Sequence, residues 1–151
     1  MTLQTDAPRR TSTKMHLEVT IDTFLAAWAA PDRGRRAALI ERVWADDGRM
    51  IDPPFVATGR RSISQLAAVR QVEHPSYTFR RIGDVERDRD GLCFAWQFVR
   101  PDGTTAIEGV DIGELAPDGR LQLVTRHYGV TSIGRSAPGP DDEGDGRARI
   151  A

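Results

Sequence analysis

The chain of 151 residues carries a single cysteine, Cys93, so no disulfide can form within it. It has no apolar run near the roughly 20 residues needed to span a bilayer. No secretory leader opens it, and the expectation is a cytoplasmic protein that does not engage a membrane. Net charge is almost absent: 21 basic against 22 acidic side chains leave −1, with a pI near 6.3. That excludes a global basic field of the kind that draws nucleic acid. The histidines, His16, His74 and His127, are far apart and lack ligand spacing. One cysteine cannot build a zinc site, and no metal is expected. No glycine-rich phosphate loop or dinucleotide fingerprint follows a strand, so no cofactor is expected either.

What is present is 39% hydrophobic residues in a length that suits one domain with a core. Residues 1–15 are polar and read as a mobile arm; residues 16–134 read as the domain. Residues 135–151, rich in Pro, Gly, Asp, Glu and Arg, read as a disordered tail. Helical spacing of Ile21, Phe24, Leu25 and Trp28 predicts a helix over 19–30. A second is predicted over 34–45, with Arg33, Arg35 and Arg36 facing solvent. A third is predicted over 62–72, with Ser62 as N-cap. A short strand over 49–52 lies between the last two.

After Pro75 the period changes to two. Strands follow around 77–82, 92–99, 104–115 and 121–130, separated by Asp-Gly turns. Cys93 falls in one of them and reads as core. Three helices followed by an antiparallel meander is an α+β pattern. The expected architecture is a cone: three N-terminal helices covering a strongly curved antiparallel sheet of four to five strands. The open end of such a cone suits a small hydrophobic molecule. Phe24, Trp28, Phe55, Trp96 and Tyr128 are the candidate walls.

Two acids stand out from this apolar background. Asp52 ends the strand Met50-Ile51-Asp52 and precedes Pro53-Pro54. It reads either as a turn-forming residue or as a pocket acid. Asp111 lies mid-strand between Gly109 and Gly113, which share its face and would leave open space beside it; it reads either as a solvent-facing strand residue or as a pocket acid, the latter favoured because Val110 and Ile112 then pack outward. Burial of two carboxyl groups in one apolar hollow disfavours charging both. One can then serve as base and the other as proton donor. The register of the last hairpin is open. A three-residue loop at Pro117-Asp118-Gly119 puts Thr125 opposite Asp111, with His127 on its face. A loop of two or four residues brings Arg126 and Tyr128 there instead.

The runs WADDGRMIDP, ATGRRSISQL and EGVDIGELAPDGRL resemble the nuclear-transport-factor-2-like superfamily, nearest to its SnoaL-like polyketide cyclases and ketosteroid isomerases. Ketosteroid isomerases use an aspartate base, with a tyrosine and a protonated aspartic acid as donors to the developing oxyanion. Carried over by motif, Asp52 matches the base and Asp111 the acid donor. The tyrosine position falls on Phe24, which has no hydroxyl. The histidine that SnoaL-like cyclases tend to carry in the last strand falls on Val124. The resemblance favours Arg126 and Tyr128 on the pocket face. It implies a cofactor-independent isomerase or cyclase of a small hydrophobic carbonyl compound, working as a homodimer through the outer sheet face. A non-catalytic binding module, a dimerising interaction domain and an epoxide-opening hydrolase are the alternatives on the same fold.

Overall fold

The computed structural model describes residues 3–129, with side chains from Met15 onward. The tail expected from residue 135 lies outside the described residues. Three helices come first: α1 (Leu3–Trp28), α2 (Arg33–Val43) and, after the first hairpin, α3 (Arg60–Glu73). Helix α1 is continuous from Leu3, through the stretch expected as an arm. Along it Leu17, Ile21, Phe24, Leu25 and Trp28 are buried, the three-and-four spacing of a stripe facing a core.

Asp32 caps α2 by accepting from the Arg35 amide at 2.8 Å. Arg36 is not solvent-facing as expected. It is buried and donates to the Ala30 carbonyl at 3.0 Å and to Ser64 Oγ at 3.2 Å. It thereby satisfies a carbonyl just past the end of α1 and ties α2 to α3. The N-cap of α3 is Gly59, at φ +88°, rather than Ser62. A left-handed φ at that point suits a residue without Cβ.

The strands are β1 (Trp44–Asp52), β2 (Phe55–Thr58), β3 (Thr78–Asp88), β4 (Gly91–Val99), β5 (Thr105–Leu115) and β6 (Leu121–Tyr128). They form one six-stranded sheet in the order β2-β1-β6-β5-β4-β3. Two expectations are corrected here. The sheet has six strands, because the four residues of β2 follow two prolines too closely to show a period. It is also mixed, because β1 lies parallel to β6 while the other neighbours are antiparallel. β1 begins at Trp44, which the sequence places in helix because Val43, Trp44 and Ala45 extend the apolar pattern of α2.

Every ladder except β1–β2 contains a register shift. Each such irregularity adds local twist, and together they account for a sheet that curls without closing. The helices cover its concave face, and the core lies between, around Phe24, Trp44, Met50, Phe94 and Trp96. Cys93 is not in that core. It is half-buried, with its thiol 3.9 Å from Glu86, and burial pushes the thiol pKa up.

Candidate functional site

β1 and β6 run side by side, so their C-terminal ends deliver Asp52 and Tyr128 to the same end of the sheet. Asp52 is fully buried. The Tyr128 hydroxyl donates to its Oδ1 in a short hydrogen bond, and Arg70 Nε donates to its Oδ2 at 3.0 Å. Arg70 comes from the last turn of α3 and also pairs with Glu73 at 3.1 Å. Burial is the largest single influence and lowers the Arg70 pKa, but the bond to and charge of Asp52, with smaller help from Tyr128 and Glu73, together outweigh it and the net direction is upward. The Tyr128 phenol is pushed up to about 12, by burial first and then by its bond to Asp52. The phenol therefore keeps its proton across the neutral range.

The second acid sits deeper. In the β5–β6 ladder Asp111 stands opposite Arg126. This is the register that turns Arg126 and Tyr128 inward, and its origin is the shift between Glu114 and Leu115. Continuing the Leu115–Leu121 pairing unbroken would put Thr125 opposite Asp111. One extra residue in the ladder exchanges the faces of β6. His127 is consequently exposed on the other face.

Asp111 Oδ1 accepts from Arg126 Nε at 3.0 Å and from Trp96 Nε1 at 2.8 Å; Oδ2 accepts from Arg126 Nη2 at 2.8 Å. All three partners are donors with no lone pair to offer. Asp111 is therefore an acceptor, and its expected role as proton donor does not fit its surroundings. The glycines on its face do not open space either. A Cβ at Gly109 would lie 2.3 Å from the Trp96 ring, and one at Gly113 would lie 2.6 Å from the Leu123 carbonyl. Gly109 lets the indole lie flat against the strand with its N–H on Asp111.

The Arg126 guanidinium is 4.5 Å from the ring centre of Phe79, 4.9 Å from Trp28, 5.0 Å from Trp96 and 5.9 Å from Phe24. Aromatic faces attract a cation that has left water. Burial is the largest single influence and lowers its pKa, but the charge and hydrogen bonds of Asp111 together with the charges of Asp52 and Tyr128 outweigh it, and the net direction is upward. Its Nη1 is buried and has no hydrogen-bond partner.

A cavity of about 540 Å³ opens above these groups. Arg126 and Tyr128 line it, together with Pro53, Pro54, Arg70 and the rings of Tyr77, Phe79 and Phe98. Several expected residues fall elsewhere. Phe24, Trp28 and Trp96 are fully buried behind Arg126, whose side chain lies between them and the cavity. Phe55 is 45% exposed on the edge strand β2 and packs under Arg70, at 5.4 Å. Asp52 and Asp111 do not share one hollow: each lies behind the lining, paired to its own arginine.

Arg70, His74, Tyr77 and Arg100 also line the cavity and were not predicted. Phe98 was visible as a residue sharing the face of Trp96. Arg70 offered no signal beyond its place in the last turn of a helix. A hollow of about 620 Å³ between α2 and α3 reaches none of the predicted site residues. Among the described residues no cluster of three His, Cys, Asp or Glu side chains is placed to hold a metal ion. No helix among them is long and apolar enough to cross a membrane.

No family model and no curated protein matches the sequence. Solved structures do match. A SnoaL-like family protein from Agrobacterium tumefaciens, provisionally designated an isomerase, superposes with a TM-score of 0.71 at 26% identity, covering 79% of this chain and 99% of that one. A provisionally designated polyketide cyclase from Sinorhizobium meliloti gives 0.59 at 16% identity, over 76% and 98% of the two chains. A Catenulispora acidiphila protein with a ketosteroid isomerase-like fold, solved in complex with trimethylamine, gives 0.60 at 15% identity, over 76% and 88%. The two weaker likenesses show shared fold alone.

Proposed function

We propose that this chain, a member of the SnoaL-like, nuclear-transport-factor-2-like superfamily, is a cofactor-independent isomerase or cyclase that moves a proton beside a carbonyl group of a small hydrophobic substrate. One observation carries the reading: a tyrosine hydroxyl in the cavity wall is hydrogen-bonded to a carboxylate that is wholly buried behind it. The Tyr128 oxygen takes the substrate C–H proton while its own proton passes to Asp52. The electron pair of that C–H bond becomes a carbon–carbon double bond, and the carbonyl π pair moves onto its oxygen, which accepts from Arg126 Nη1. Returning the proton to another carbon gives an isomer. Attack of the enolate on a second carbonyl within the same molecule gives a ring. Asp52 remains the base expected from sequence, acting through Tyr128. Asp111 holds Arg126 in place, and the stabilising donor is a guanidinium in place of a carboxylic acid.

A second reading is favoured by the acceptor-only surroundings of Asp111. Epoxide opening by water needs an acceptor to hold the water and a donor for the alkoxide; the Tyr128 oxygen, backed by Asp52, and Arg126 supply them. The same fold reading carries a homodimer, paired through the outer sheet face around Ile82, Ala95 and Ile112.

The test is exchange in deuterated water, followed by NMR, over a panel of β,γ-unsaturated ketones and aromatic β-dicarbonyl compounds. Wild-type protein should exchange the protons next to the carbonyl of at least one member. Asp52→Asn should slow this by about 10²–10⁴-fold, with the melting temperature within a few degrees of wild type. Unchanged exchange in a folded Asp52→Asn variant rejects the base assignment. Diol formation from epoxides without ketone exchange selects the second reading. Thermal stabilisation by a ligand with neither reaction leaves a binding module.

A further inference from the structure

The cavity lining contains Arg70, Arg100 and Arg126 and no carboxylate. Two acids lie directly behind it, Asp52 on Arg70 and Asp111 on Arg126. Three guanidinium groups against two buried acids leave one positive charge unmatched. Glu73 also touches Arg70, but its side chain is 48% exposed and water screens it. The third is Arg100, an exposed side chain at the rim, and the acid whose charge it feels, Asp102, is fully exposed and screened by water. Among the described residues its side chain donates only through Nη1, to Thr104 Oγ1 at 3.2 Å and the Thr105 carbonyl at 3.0 Å. Those contacts fix the group while its remaining N–H groups have no carboxylate partner.

Arg126 lines the same cavity, and its buried Nη1 has nothing to donate to. An unsatisfied N–H of that kind is a cost to the fold that an acceptor oxygen on a ligand would recover. Between these two points the wall is a run of rings. Phe79 and Phe98 lie 4.6 Å apart with planes tilted by 36°, and Tyr77 and Phe98 lie 4.9 Å apart. Such a wall suits a flat apolar body.

We propose that the ligand is a flat, hydrophobic monocarboxylate with a second oxygen acceptor, its carboxylate on Arg100 and that second oxygen on Arg126 Nη1. The proposal rests on the cavity of the preceding section as the substrate site, and not on the proton transfer assigned there. A carboxylate meets a guanidinium edge through paired charge-assisted hydrogen bonds, which gives orientation as well as affinity. The ring system then lies along Phe79 and Phe98. The substrate class is thereby narrowed from hydrophobic carbonyl compounds to aromatic or polycyclic keto acids.

Isothermal titration of the full chain with 2-naphthoate and with its neutral methyl ester tests this. The two probes share a ring system and differ in charge. The acid should bind at least about tenfold tighter than the ester, and raising salt from about 0.05 to 0.5 M should narrow the gap. Arg100→Gln should lower affinity for 2-naphthoate by about five- to tenfold, leave the ester unchanged and leave the melting temperature unchanged. Equal affinity for the two probes, a preference for the ester, or no binding of 2-naphthoate at millimolar concentration overturns the proposal. So does a full acid preference retained in Arg100→Gln. Acid-selective binding without proton exchange in any keto acid would sink the catalytic reading and leave this one standing.

Discussion

At the scale of single residues, the Tyr128 hydroxyl is the group most open to direct measurement. Its folded-state pKa is raised from 10 to about 12. The native state therefore holds that proton more tightly than the unfolded chain. The stability this contributes is fully present below pH 10 and is lost as pH rises towards 12. The stability gap between wild type and Tyr128→Phe should then be steady near neutrality and shrink between those limits, as followed by urea unfolding. Absorbance titration offers a second check, because the chain has only two tyrosines: a tyrosinate step near pH 12 should vanish in Tyr128→Phe. Gly109 is the second such residue. A Cβ there would meet the His127 carbonyl at 2.4 Å as well as the Trp96 ring. Gly109→Ala should lower stability by about 1–3 kcal/mol, the range for overpacking a filled site, measured as a drop in the urea midpoint. An unchanged midpoint would show that the sheet yields locally at no cost.

At the scale of elements, the helices were legible because their apolar stripes are long and regular; Ile21, Phe24, Leu25 and Trp28 fixed the face of α1. The inward direction of Asp52 was legible as well, as a charge placed between an apolar strand and two prolines. What escaped was whatever depends on a neighbour. Arg36 looked like one more exposed arginine, since nothing local announces that the Ala30 carbonyl needs a donor. Truncating it to Met keeps the stem and removes the donor. Arg36→Met should cost about 1–3 kcal/mol by leaving that carbonyl unsatisfied, read from denaturant unfolding, and a loss near zero would mean water takes its place. The bulge between Glu114 and Leu115 escaped for the same reason. Two registers were equally consistent with the alternation in β6, and the choice between them depends on Gln122, the extra residue that β6 takes up opposite Glu114 and Leu115. The pairing of Asp111 with Arg126, and with it the correction of Asp111 from donor to acceptor, followed from that single shift.

At the scale of the whole molecule, the outer face of the sheet carries Ile82 and Ile112, at 39% and 44% exposure; on the strand between them Ile82 pairs with Ala95 and Ile112 with Cys93. On the proposed pairing through this face, light scattering after size exclusion should report a mass near twice 16.7 kDa. Ile112→Glu should shift it towards the monomer, because a charge buried at such a contact has no partner. A wild-type monomer at micromolar concentration would remove the face from consideration.

The parallel docking of β6 against β1 has one more consequence. Asp52 and Tyr128 are 76 positions apart along the chain, and no shorter path through the polypeptide brings them together. Contacts of such separation form late, after the entropy of closing a large loop has been overcome. The hydrogen-bonded pair therefore does not pre-exist in any partly folded state that lacks its final strand. Completion of the sheet and the birth of the site are one event.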